Sequence, residues 1–192
     1  MSYLSKDERR EDILQAAMRV ALNEGFSAMT VRRIAGEAGI ASGQVHHHFA
    51  SAGELKALAF VRLIRELLDA EVVGDCRHRL RAMLGSDEGL FEPYIRLWRE
   101  AQILASRDPD IKSAYVLTME MWHQDTVAII RQGAEEKVFT LSDRPENIAW
   151  RLIGLVCGLD GIYVLNMPEM DDDAFNKHLD KLISLELFNT PN

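Results

Sequence analysis

The stretch TVRRIAGEAGIASGQVHHHF, residues Thr30 to Phe49, holds two short helical patterns hinged on a glycine. Thr30 has the short hydroxyl that accepts a first-turn amide, so it can N-cap a helix whose Val31, Ile34, Ala35 and Ala38 share one stripe. Gly39 ends that pattern, and Ile40 and Ala41 leave only a very short turn. Ser42 is a second N-cap candidate, opening a helix that buries Val45 and Phe49. Two short helices on a glycine-containing turn predict a helix-turn-helix.

Upstream, Ile13, Leu14, Ala17, Val20 and Ala21 recur at helical spacing between Asp7 and Glu24, and Gly25 stands where a left-handed cap residue belongs. Downstream, Ser51-Ala52-Gly53-Glu54 reads as a capping box opening a long helix through Leu55, Leu58, Ala59, Arg62 and Leu63 to about Ala70. Further helices are predicted near residues 75–84, 89–107, 109–137, 144–167 and 172–188, punctuated by Gly85, Asp108-Pro109, Ser142-Asp143 and Met167-Pro168. No strand pattern or internal repeat competes. The fold class is therefore all-α: an N-terminal three-helix helix-turn-helix domain over residues 1–52 and a C-terminal helical domain over 53–192.

The chain has 192 residues, enough to bury a core without staples. Cys76 and Cys157 are far apart and follow no metal or redox spacing, so they read as small buried hydrophobes of a reducing compartment. The polar start MSYLSKDERRED is no secretory signal, and no run approaches the roughly 18 apolar residues of a membrane span. A cytoplasmic protein is expected, with no membrane partner. Net charge is −8, yet residues 1–70 hold nine Lys/Arg and nine Asp/Glu, so the whole excess lies beyond them. A neutral, His-rich head on an acidic body suggests two jobs. There is no GxSxG elbow, phosphate-binding glycine loop, HExxH helix or paired-Cys pattern, so neither enzyme activity nor a cofactor is expected.

The segment RREDILQAAMRVALNEGFSAMTVRRIAGEAGIASGQVHHHFASAGEL resembles the N-terminal domain of TetR-family regulators in length, helix order and key positions. The matching elements are Ile13-Leu14, Ala17, Gly25-Phe26, Thr30-Val31, Ile34-Ala35, Ala38-Gly39-Ile40, Ser42-Gly43, Phe49 and Glu54-Leu55. The remainder is loosely similar to the choline-responsive BetI-type branch, with a tryptophan-bearing middle helix and Asp160-Gly161 in the penultimate one. His46 stands where the family usually has Tyr, and Ala52 where it usually has Lys; both family residues usually touch phosphate.

The second helix of a helix-turn-helix enters the major groove, where each base pair shows a distinct donor and acceptor pattern. Ser42, Gly43, Gln44, His46 and His47 take its outward positions. The resemblance implies that Gln44 and His47 read base edges, that Arg32 reaches a base, and that Thr30, His46 and Ser51 hold phosphates; Arg33 completes the candidate DNA-binding set. Arg9 and Arg10 fit a flanking arm or a solvated helix start equally well. The His46-His47-His48 triplet is no metal site, because consecutive helical side chains point about 100° apart. The Asp171-Asp172-Asp173 run reads as a favourable start for the last helix rather than a metal site.

Phe91, Tyr94, Trp98 and Gln102 fall on one helical face, and Tyr115, Thr118, Trp122 and Asp125 on another. Such stripes are often ordinary core. Polar Gln102, Thr118 and Asp125 interrupt them, so the set is a candidate ligand-binding site, and Trp faces with a carboxylate favour a cationic small molecule. The last two helices carry Ile148, Leu152, Leu155, Leu159, Tyr163, Phe175, Leu179, Leu182, Ile183 and Leu187; by the resemblance they form a homodimer. A two-fold dimer implies a near-palindromic double-stranded DNA operator, with a repressor released by its effector as the family default. The alternative is a ligand-binding or interaction module of this fold without specific DNA binding, motivated by His46, Ala52 and the neutral head.

Overall fold

The computed structural model describes residues 5–85 and 91–188. Among these, nine α-helices and one 3-10 turn account for the regular structure and no strand occurs. In chain order the helices are α1 (Lys6–Glu24), α2 (Val31–Glu37), α3 (Ser42–His46), α4 (Ala52–Leu68), α5 (Cys76–Met83), α6 (Glu92–Leu104), α7 (Pro109–Glu135), α8 (Pro145–Tyr163) and α9 (Asp172–Leu187). The 3-10 turn, Phe26–Ala28, joins α1 to α2. Residues 89 and 90, where the sixth helix was expected to begin, lie outside the described residues. The eighth helix stops at Tyr163 rather than 167, and Asn166 soon afterwards turns left-handed with φ 52°.

Side-chain caps set many of the starts. The Ser5 hydroxyl accepts from Glu8 N–H while Glu8 reaches back to Ser5 N–H, a complete capping box that starts α1 one residue before the expected Asp7. Thr30 caps α2, Asp75 caps α5, and Asp171 caps α9 by accepting from Ala174 N–H at 2.9 Å. At α4 the box is displaced. Ser51 accepts from Glu54 N–H at 2.9 Å, but the Glu54 carboxylate takes the N–H of Ala50, one residue before the cap.

The contacts divide the chain into two compact units, the described residues of Met1–Ala70 with Gly89–Glu120, and of Glu71–Glu88 with Met121–Asn192. In the first, α1, α2, α3, α4 and α6 enclose a core of Ile13, Ala17, Val20, Phe26, Ile34, Val45, Phe49, Leu55, Phe60, Leu63 and Leu97. Removal of apolar surface from water drives this closure, at roughly 25 cal/mol per Å². In the second, α8 packs on α9 through Ile148, Leu152, Leu179, Ile183 and Leu187. A polar tie locks that pair. Arg151 donates to both carboxylate oxygens of the largely buried Glu186, at 2.5 and 2.8 Å, and to Asp143 at 3.0 Å. Glu186 also accepts from the Ser142 hydroxyl.

Candidate nucleic-acid interface and effector helices

The two helices of the sequence motif bury one apolar stripe in the core they share with α1 and α4. Ile34, Ala35, Val45 and Phe49 are buried, which leaves the polar residues between them no direction but outward. Gly39, at φ 66°, takes the left-handed turn, and Ile40 N–H closes it on Ala35 C=O at 3.0 Å. The second motif helix begins one residue earlier than a Ser42 cap requires. Ala41 is its N-cap, without a side-chain acceptor, and Ser42 is the first helical residue. The Ser42 side chain is consequently part of the outward face rather than a cap.

Thr30, Arg32, Ser42, Gly43, Gln44, His46, His47 and Ser51 are all exposed, whereas Val45 is buried between them. His46 ends α3 and His47 is its C-cap, so the two rings leave a helix end rather than a continuous helical face. His48 is half-buried, with Nδ1 shielded from solvent. Thr30 and Ser51 each spend one lone pair on their own helix, accepting from Arg33 N–H at 3.1 Å and from Glu54 N–H at 2.9 Å. A hydroxyl retains its O–H for another acceptor.

Arg33 differs from the rest of the candidate set. Its guanidinium donates to Glu24 at 2.6 and 2.9 Å and lies 3.0 Å from Glu37, which also receives Arg19 at 3.0 Å. Those bonds raise the Arg33 pKa and lower that of Glu37. Arg33 thus braces α2 against the end of α1 with its charge locally compensated. Arg10 is likewise engaged, lying over the Phe49 ring at 4.5 Å and pairing with Glu54 at 3.6 Å. The Glu24 pairing and the Arg10 contacts were not visible in the sequence, because those partners lie at least nine residues away, whereas Glu37 stands four residues along α2 itself.

On the candidate ligand-binding helices, Trp98 of α6 and Tyr115 of α7 meet with ring centroids 5.0 Å apart, and Trp98 continues to Phe60 of α4 at 6.1 Å. Phe60 in turn touches Phe26 at 5.6 Å. Phe91 and Tyr94 pair edge-on at 6.4 Å. Trp98 and Tyr115 thus meet across α6 and α7, and the ring contacts continue through Phe60 to Phe26 in the core beneath the helix-turn-helix. Thr118 is fully buried and donates to Tyr115 C=O at 2.9 Å, a bond within its own helix. Gln102 is exposed. Trp122 and Asp125 belong to the second unit, where the Trp122 indole donates to Met83 C=O at 2.9 Å and Asp125 is half-buried. His123 stacks on Trp150 at 4.1 Å and bonds Glu146 C=O through Nε2.

Residues 13–55 match the family model described as bacterial regulatory proteins, tetR family. The chain is 31% identical over 162 residues to the transcriptional repressor KstR2 of Mycobacterium tuberculosis, covering 77% of this chain and 76% of that one. It is 26% identical over 164 residues to the regulator BetI of Brucella anthropi, covering 81% and 80%. Among solved structures, a transcriptional regulator of Saccharomonospora viridis in complex with choline shares the fold with a TM-score of 0.73 at 24% identity, over 96% of this chain and 100% of that one. With a helix-turn-helix turned outward and a repressor matched across three quarters of its length, the chain belongs to the TetR family of DNA-binding, non-enzymatic transcription regulators.

Proposed function

We propose that the chain is a cytoplasmic, homodimeric repressor that grips a near-palindromic operator and leaves it when a small cationic molecule binds. The observation that carries this reading is the outward face of α2 and α3, where Arg32, Ser42, Gly43, Gln44, His46 and His47 are exposed over a buried Ile34, Val45 and Phe49. Gln44 suits adenine, offering a donor and an acceptor, and Arg32 suits guanine. Thr30 and Ser51, with His46, hold phosphate, and Arg33 acts mainly as the brace behind them. In this division residues 1–52 bind DNA and 53–192 bind effector and partner.

The dimer reading rests on large apolar side chains exposed on α8 and α9, with Trp150, Ile162 and Leu185 each more than 40% accessible. Two protomers then present two recognition helices to successive major grooves. The effector reading rests on the facing Trp98 and Tyr115 rings, with Phe91, Tyr94, Gln102 and Thr118 of the same unit completing the set. A cation gains over Trp and Tyr faces. The choline held by the Saccharomonospora viridis regulator supports that ligand class.

Two experiments test the two halves. Selection from a random duplex pool at near-physiological salt enriches an inverted repeat if the chain is a dimeric reader; a folded dimer that enriches nothing is the interaction module instead. A thermal-shift panel with choline, spermidine and neutral and anionic compounds shows stabilisation by the cations; stabilisation only by neutral or anionic members rejects the cationic effector.

A further inference from the structure

The end of α1 leaves carbonyls that its own helix cannot pair, and the turn that follows begins with an amide in the same position. Ala21 C=O is taken by Gly25 N–H at 2.9 Å. The other two groups are met from α6, 74 residues further along the chain. Arg96 donates to Leu22 C=O at 2.6 Å, and Glu100 accepts from Phe26 N–H at 2.7 Å. Gly25 lies between them with φ 82°, and the Glu100 carboxylate occupies the space of its missing side chain, with oxygens 2.7 and 2.9 Å from where a Cβ would stand. Arg96 and Glu100 are themselves 3.9 Å apart, and Trp98 lies between them on the same helix.

The link from this grip to the reading face is short. Phe26 C=O accepts from Met29 N–H, and Ala28 C=O from Thr30 N–H, so the gripped residue is one rigid turn from the cap that starts α2. We infer that Arg96 and Glu100 are positioning residues for DNA binding, through which α6 fixes the α1–α2 junction and with it the aim of α3. The inference rests on α3 being the reading helix. Each bond is of the charge-assisted kind, the stronger class of hydrogen bond.

The test uses the full chain and two duplexes of equal length, the one enriched by selection and a scrambled one. Loss of a hydrogen bond to a charged group corresponds to about tenfold. Glu100→Ala is expected to lower the ratio of the two affinities by that factor, whereas Glu100→Gln, which retains a carbonyl acceptor for Phe26 N–H, stays within roughly threefold of wild type. A merely structural role lowers both affinities together and leaves the ratio unchanged, and that result overturns the inference; so does an equal loss in Gln and Ala. Should Glu100→Ala not fold, Arg96→Met, which removes the Leu22 bond and the Arg96–Glu100 pairing, takes its place. If selection enriches no duplex, the reading of α3 fails, and hydrogen exchange decides the grip separately. Faster exchange of the Phe26 to Arg33 amides in Ala, restored in Gln, supports it; exchange equal to wild type in both overturns it.

Discussion

Gln44 and Thr30 lie on the same exposed face but differ in what they already hold. Thr30 is tied to Arg33 N–H at 3.1 Å, so its place is fixed by the helix it caps, while Gln44 projects from the middle of α3. Thr30→Ala is expected to cost about 1 kcal/mol of helix stability and to weaken binding to every duplex alike, as read by titration of selected and scrambled DNA. Arg33 gives the opposite kind of prediction. Glu24→Gln releases part of its guanidinium, so affinity for any duplex rises and the slope of log affinity against log salt steepens by about one. An unchanged slope means that Arg33 stays a brace. The Thr30 cap was legible in the sequence because it is made three residues away; the Glu24 pairing was not, because it depends on how α1 crosses α2.

At the scale of elements, the helices were legible from periodicity and their starts from short polar residues, with errors where the backbone, not the side chain, decides. Ala41 took the cap position expected of Ser42 because the Gly39 turn places the extended residue there. Glycines within helices show the same dependence on tertiary neighbours. A Cβ on Gly36 of α2 meets nothing within 4 Å, so Gly36→Ala should stabilise the protein by about 0.5–1 kcal/mol. On Gly133 of α7 it stands 2.2 Å from the Phe139 ring, and Gly133→Ala should lose about 1–3 kcal/mol to overpacking despite the same gain in propensity. Denaturant midpoints of the two variants check the signs.

The α8–α9 tie adds a pH dependence. Arg151 and Ser142 hold the Glu186 carboxyl below its ordinary range. Its contribution is therefore complete above the unfolded-state value and is lost as pH falls through the lower folded value. Melting temperature should drop between about pH 5 and pH 3 more steeply in wild type than in Glu186→Gln, which lacks the titrating group. Parallel curves contradict the tie.

At the scale of the whole molecule, the distribution of charge and the proposed dimer set the predictions. The neutral first 70 residues and the acidic remainder give DNA little long-range attraction, so base reading must carry more of the specific affinity than phosphate contacts do. Leu185→Glu on α9 should shift sedimentation from dimer to monomer and weaken binding to a full inverted repeat far more than to a half-site. The aromatic part of the body was only half legible. That Trp98 and Tyr115 stand on aromatic faces of α6 and α7 could be read from spacing, but the continuation from Trp98 through Phe60 to Phe26 joins segments far apart in sequence, and Gln102, set on the same face by periodicity, is exposed.

The most direct measurement is the binding motif recovered from a random duplex pool by wild type and by Gln44→Ala in parallel. Reading by α3 predicts an inverted repeat for wild type and the same repeat for the variant with preference lost at one position in each half-site. An identical motif from both proteins, or none from a folded dimer, contradicts it.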